Sequence, residues 1–166
     1  MQAGRILVAE HDGVFVLKFL GDVRVTLCSS LDQFVESMFS QPNFVSVLID
    51  LTETDGIDST TLGLLAKLSL ESKKISGTVP TIVSTNEGIT RVLHSMGFEK
   101  VFDIHTEALD AEPEPIADNG TGELQEIHCT EDEVKEKVIE AHRVLMSLNA
   151  KNAATFNELM QNLENH

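Results

Sequence analysis

The residues best suited to chemistry stand in one stretch. An apolar, β-branched run over 45–52 is followed, after a short loop, by Ile57-Asp58-Ser59-Thr60-Thr61-Leu62-Gly63. The run predicts a buried strand, and the residues after the loop predict a helix opening on small hydroxyls beside a carboxylate. A helix start leaves backbone N–H groups unpaired and carries the positive end of the macrodipole. A hydroxyl or carboxylate there caps the helix, and a phosphate there finds donors already aimed at it. Ser59 thus admits two roles, a cap or a phosphate acceptor, and Asp58 is a cap in its own right.

Other constellations are weaker. Asp50, Asp55 and Asp58, with Asp12, supply the carboxylates that Mg²⁺ prefers at a strand end. The six histidines share no spacing that suggests a metal or a catalytic base. No GxSxG, P-loop or GxGxxG is present, so no catalytic motif and no cofactor is expected.

Composition narrows the partners. The 166 residues carry a formal charge of −15, with no Trp and no Tyr. Nucleic-acid binding needs a basic face, so that class is excluded and protein partners are expected. No apolar stretch approaches the ~18 residues of a membrane span, and the first residues lack a signal peptide's apolar core. The expectation is a cytoplasmic protein. Cys28 and Cys129 fit neither a disulfide framework nor a CxxC knuckle, so both are expected reduced.

Several elements must position Ser59. Residues 5–10 and 14–20 read as strands around a His11-Asp12-Gly13 turn. Leu31, Phe34, Val35 and Met38 recur at helical spacing, with Ser30 and Gln33 as a capping box. The strand over 45–51 and the helix over 59–75 come next, then a strand over 79–84. Another helix runs through Ile89, Val92, Leu93 and Met96 to Gly97, and 101–104 is a last short strand. Two strands followed by three helix–strand units predict an α/β fold, a mixed sheet flanked by helices. In the helix after Ser59, leucines 62, 64, 65, 68 and 70 spread over most of the circumference, so they are buried on two sides or some of them dock a partner.

Charge and composition divide the chain. Residues 1–106 are predicted to form one domain, 107–129 an acidic flexible linker and 130–166 a helical C-terminal extension. The net charge is about −5 before the boundary and about −10 after it. Thr130 to Glu133 forms a capping box, and Val134, Val138, Ala141, Leu145 and Leu148 make a narrow seam that needs a partner surface. Glu131–Lys135 and Glu133–Lys137 are spaced as ion pairs. One long helix or a hairpin around 149–152 both fit.

Two family resemblances bear on the site. The string 48–56 is similar to the phosphoacceptor region of a response-regulator receiver, which would make Asp50 the acceptor. That family places a helix directly after its first strand, a proline after the acceptor and a lysine after a later strand, and this chain shows none of them. The second resemblance is broader. Ile57-Asp58-Ser59-Thr60 with Leu62-Gly63, the Gly21-Asp22-Val23 turn and Leu93-His94-Ser95-Met96-Gly97-Phe98 resemble, in order and spacing, the anti-sigma factor antagonists of the STAS domain family. The similarity covers about residues 5–106. It implies a STAS-like fold and a non-enzymatic partner-switching protein. Ser59 would be phosphorylated by an anti-sigma-type serine kinase and restored by a PP2C-type phosphatase. Unmodified, the chain would bind an anti-sigma factor or analogous regulator through Asp22, Asp58, Thr60, Leu62, Gly63 and Leu65. Thr61 stands where that family usually has glycine, and Arg24 where it usually has aspartate. The acidic linker and helical tail resemble extended proteobacterial members.

Overall fold

The computed structural model describes residues 2–107 and 122–165. Strands β1 (Arg5–His11) and β2 (Val14–Val23) form an antiparallel hairpin. Its two-residue turn places Asp12 at φ 49° and Gly13 at φ 85°. Two left-handed residues match the right-handed twist of the strands. After a 3₁₀ turn at Val25–Leu27 come α1 (Cys28–Phe39), β3 (Ser46–Ile57), α2 (Ser59–Ser76), β4 (Thr81–Val83), α3 (Glu87–Ser95) and β5 (Asp103–His105). The sheet order is β1-β2-β3-β4-β5, with every pair after the first parallel. Each parallel pair is joined through a helix, and right-handed crossovers advancing one way place α1, α2 and α3 on one face. The core lies there: Ile6, Leu17, Phe19, Ile49, Leu65 and Phe98 are all fully buried.

The main departures from expectation lie beside the site. β3 does not stop at Leu51 but continues to Ile57. Thr-Glu-Thr-Asp-Gly has the composition of a loop, yet it pairs with Leu20–Val23 through two register shifts. Thr54 Oγ1 adds a bond to the Phe19 carbonyl at 2.8 Å. The first helix starts at Cys28, so Ser30 is not its cap. Ser30 is buried and donates instead to the carbonyl of Gln125.

The tail is a helical hairpin, α4 (Glu131–Leu148) and α5 (Ala150–Glu164). Thr130 and Glu133 form the expected capping box. Asn149 is extended, ends α4 and caps α5 by accepting from the Asn152 N–H at 2.7 Å. Lys137 bonds Asp32 of α1, so its partner is across the fold, where the spacing had suggested Glu133. The hairpin packs on the domain through Leu145, fully buried in the common core, and through Asn152, which donates to the Met96 carbonyl at 2.9 Å. Of the expected linker, residues 108–121 lie outside the described residues. Residues 122–124 run antiparallel along the free edge of β1. The Val8 N–H donates to the Gly122 carbonyl at 2.6 Å and the Leu124 N–H to Ile6 at 2.9 Å, while Arg5 bonds Glu123 at 2.6 Å. Among the described residues no helix is long and apolar enough to cross a membrane.

Candidate functional site

Ser59 is the first residue of α2, directly after its N-cap. The cap is Asp58, and both of its carboxylate oxygens are engaged. Oδ1 accepts from the Thr61 N–H at 2.8 Å and the Thr61 hydroxyl at 2.7 Å, while Oδ2 accepts from the Val25 N–H at 2.8 Å. Asp58 therefore anchors the helix start and ties it to the loop after β2. With Asp58 serving as cap, Ser59 is free for another role.

The Ser59 hydroxyl lies 2.7 Å from Nε2 of His142 on α4. The other ring nitrogen, Nδ1, lies 2.7 Å from the Val138 carbonyl, which can only accept. Nδ1 therefore carries a proton and donates to that carbonyl, and Nε2 is left facing the Ser59 hydroxyl. His142 is buried and its ring meets Phe156 of α5 edge-on at 4.8 Å. The imidazole is thus fixed on three sides and aimed at one hydroxyl.

One turn further along α2, Gly63 faces Ala141. A Cβ on Gly63 would stand 2.6 Å from both the carbonyl carbon and the Cβ of Ala141, closer than atoms can approach. A glycine in a helix costs about 1 kcal/mol against alanine, and here it permits two helix backbones to touch. A further turn on, Lys67 bonds Glu140 of α4 at 3.0 Å and Asp32 of α1 at 3.3 Å. Burial pulls the Lys67 ammonium down, but Glu140 and Asp32 outweigh it and hold its pKa above the usual value. Burial likewise raises the Asp32 carboxyl, and Lys137 and Lys67 reverse that, leaving it below the usual range. Ser59, Gly63 and Lys67, spaced by four, form one face of α2, and α4 covers it.

The other expected site residues divide cleanly. Thr60, Leu62 and Leu65 are buried, at 5%, 1% and 0% exposure, and the two leucines belong to the core. They were expected as docking contacts. Here α2 is packed on two sides, against the sheet and against α4, and these three side chains lie beneath that packing. Asp22 is half-buried beside Arg24, whose Nε donates to it at 2.7 Å. Where the family's aspartate would add charge, this chain instead neutralises Asp22. Thr61 gives its hydroxyl to Asp58, and Cys28 Sγ lies 3.5 Å from that oxygen.

Burial, only partly offset by the Thr61 hydroxyl, pushes the Cys28 thiol up to about 12. At pH 8 it therefore carries almost no thiolate, the reactive form. Cys129 is half-exposed. A maleimide reagent at that pH should label the native chain once, at Cys129, and twice only after denaturation. Two labels on the native chain, read by intact mass, would contradict this burial.

Asp50 is not placed as a phosphate acceptor. It is 1% exposed in the middle of β3, its Oδ1 accepts from the Thr52 N–H at 2.8 Å, and Lys18 Nζ lies 3.9 Å from Oδ2. Asp12 sits in the hairpin turn near the start of β3, whereas Asp58 comes after its end, so the supposed carboxylate cluster is dispersed. Among the described residues no group of three His, Cys, Asp or Glu can hold a metal ion. The residue that sequence reasoning missed is His142. It lies one position off the Val138–Ala141–Leu145 seam, and nothing in its spacing points to a serine eighty-three residues away.

Known proteins supply a frame for this geometry. The model of the STAS domain family matches residues 5–111. The anti-sigma-F factor antagonist RsfB of Mycobacterium tuberculosis is 29% identical over 107 residues, covering 64% of this chain and 84% of that protein. Two crystal structures are similar in fold. An anti-sigma factor antagonist from Mycobacterium paratuberculosis superposes with a TM-score of 0.54 at 23% identity, over 63% of this chain and 87% of that one. A putative anti-sigma factor antagonist from Thermotoga maritima gives a TM-score of 0.54 at 21% identity, with the same coverage.

Proposed function

Because this chain belongs to the STAS domain family, we propose that it acts as an anti-sigma factor antagonist, a cytoplasmic protein that binds an anti-sigma factor or analogous regulator and performs no catalysis itself. Its switch is phosphorylation of Ser59, added by an anti-sigma-type serine kinase and removed by a PP2C-type phosphatase. One observation carries this reading: Ser59 is a hydroxyl at a helix N-terminus that does not cap the helix and instead meets the surface of another helix. Phosphorylation at such a point adds about −1.5 to −2 charges where the helix itself tolerates them and a packed neighbour does not.

The docking surface is the half-buried rim of that start, with Asp22, Asp58 and Ser59, continued by Gly63 and Lys67 once α4 is out of the way. Leu62 and Leu65 support it from the core. A phosphopeptide map of protein isolated from its own cells tests the switch. The expected result is phosphate on the peptide holding Ser59, stable to acid and hydroxylamine. Phosphate lost under those conditions, or carried elsewhere on the chain, would overturn it.

A further inference from the structure

The face of α2 that carries Ser59 is already occupied, and by a segment built to fit it. Ala141 stands so close that any Cβ on Gly63 would strike its backbone and its own Cβ. His142 presents its Nε2 to the Ser59 hydroxyl, and Glu140 presents a carboxylate to Lys67. Three consecutive residues of α4 thus answer three successive turns of α2, matching it in shape, hydrogen bonding and charge. Beyond the crossing, Leu145 enters the core and Lys137 reaches Asp32.

We propose that this face is a helix-docking surface and that α4 is its resident, displaceable occupant: a partner helix gains it only in exchange for α4, and phosphate on Ser59 ejects α4. This rests on the reading of Ser59 given above. The partner class is set by the fit. It is a helix with a small residue at the crossing point, since Gly63 leaves room for backbone and little else. It also carries an acceptor toward Ser59 and an acid toward Lys67.

Ejection is a consequence of the same distances. At 2.7 Å there is no space between Ser59 Oγ and His142 Nε2 for a phosphoryl group. α4 cannot yield by sliding, because the Gly63–Ala141 contact is backbone against backbone. The charge compounds the crowding. Asp58 adjoins Ser59, and its carboxylate already holds the helix start. A dianion added there lies beside the Asp58 carboxylate and against the buried His142 ring.

The test uses the full chain and hydrogen exchange of the α4 amides, with those of β2 and β3 as a control for the fold. Two forms are compared with the unmodified protein: Ala141→Leu, which wedges the crossing from the tail side alone, and a chain carrying phosphoserine at 59 installed during translation. Both should speed exchange in α4 by at least about tenfold while leaving the sheet protected. A synthetic peptide of residues 130–165, fluorescently labelled, should then bind the Ala141→Leu chain and not the phosphoserine chain. Unchanged α4 protection in either form would overturn the proposal, as would a peptide that ignores the opened face. These readouts do not depend on the cellular phosphopeptide map. If Ser59 carries no phosphate in cells but α4 still opens, the docking surface stands and the switch reading falls.

Discussion

Ser59→Asp should leave the chain folded and cut recovery of its protein partner by roughly a hundredfold or more, while Ser59→Ala keeps binding and is insensitive to kinase. The first half rests on position. Residue 59 is the first of α2, where a carboxylate gains about 0.3–1 kcal/mol from the unpaired N–H groups and macrodipole. That keeps the domain folded, while α4, which meets the same charge, loosens, so the thermal midpoint should fall no further than in the chain without its tail. The second half rests on what a docked helix must do at this spot. It must desolvate the new charge beside Asp58, and Lys67 two turns on is held by Asp32 and by the acid the partner brings. A cost of about 3 kcal/mol is about a hundredfold in affinity. Pull-downs from cell extract with the three versions, alongside melting curves, decide it. Equal recovery by wild type and Ser59→Asp would sink the idea.

Removing residues 107–166 is the larger perturbation of stability. The remaining domain should still fold, because the core is supplied by residues 6–102, with Leu145, among the described residues, the tail's one fully buried addition to it. It should nonetheless be markedly weaker. Loss of Leu145 alone resembles a core leucine truncation, about 2–5 kcal/mol. For a domain of this size each kcal/mol lowers the midpoint by roughly 4–8 °C, so a fall of about 10–40 °C is expected. Circular dichroism should show retained helix and strand with a cooperative melt. An insoluble or molten fragment would mean that the boundary near residue 106 is wrong and the hairpin is part of the domain.

Most of the sheet and its helices could be read from the sequence, because each element carries its own periodicity and its own punctuation. Asp12-Gly13 announces the hairpin. Gly77 and Gly97, at φ 72° and 80°, take the left-handed conformation that the positions after helices demand. Ser59 was legible for the same reason, since a helix start is a local event. The illegible parts depend on distant residues. Thr52–Gly56 has loop composition and is strand only because β2 lies alongside. Ser30 looked like a cap until Gln125 offered a carbonyl. Leu62 and Leu65 looked like candidates for a partner until α4 covered the other side of their helix. His142 belongs with them: its meaning lies entirely in what it faces.

The pairing of residues 122–124 with β1 has a consequence for how fast the tail returns. It fixes the chain at Leu124, so only six residues separate that anchor from the start of α4. Fully extended, six residues reach about 20 Å. A freed hairpin therefore remains within a small volume around α2, at a local concentration on the order of millimolar. A competitor in solution meets that concentration at every encounter and must bind far more tightly than the hairpin does to hold the face. When the competitor leaves, closure is immediate, so the chain keeps no record of having been open.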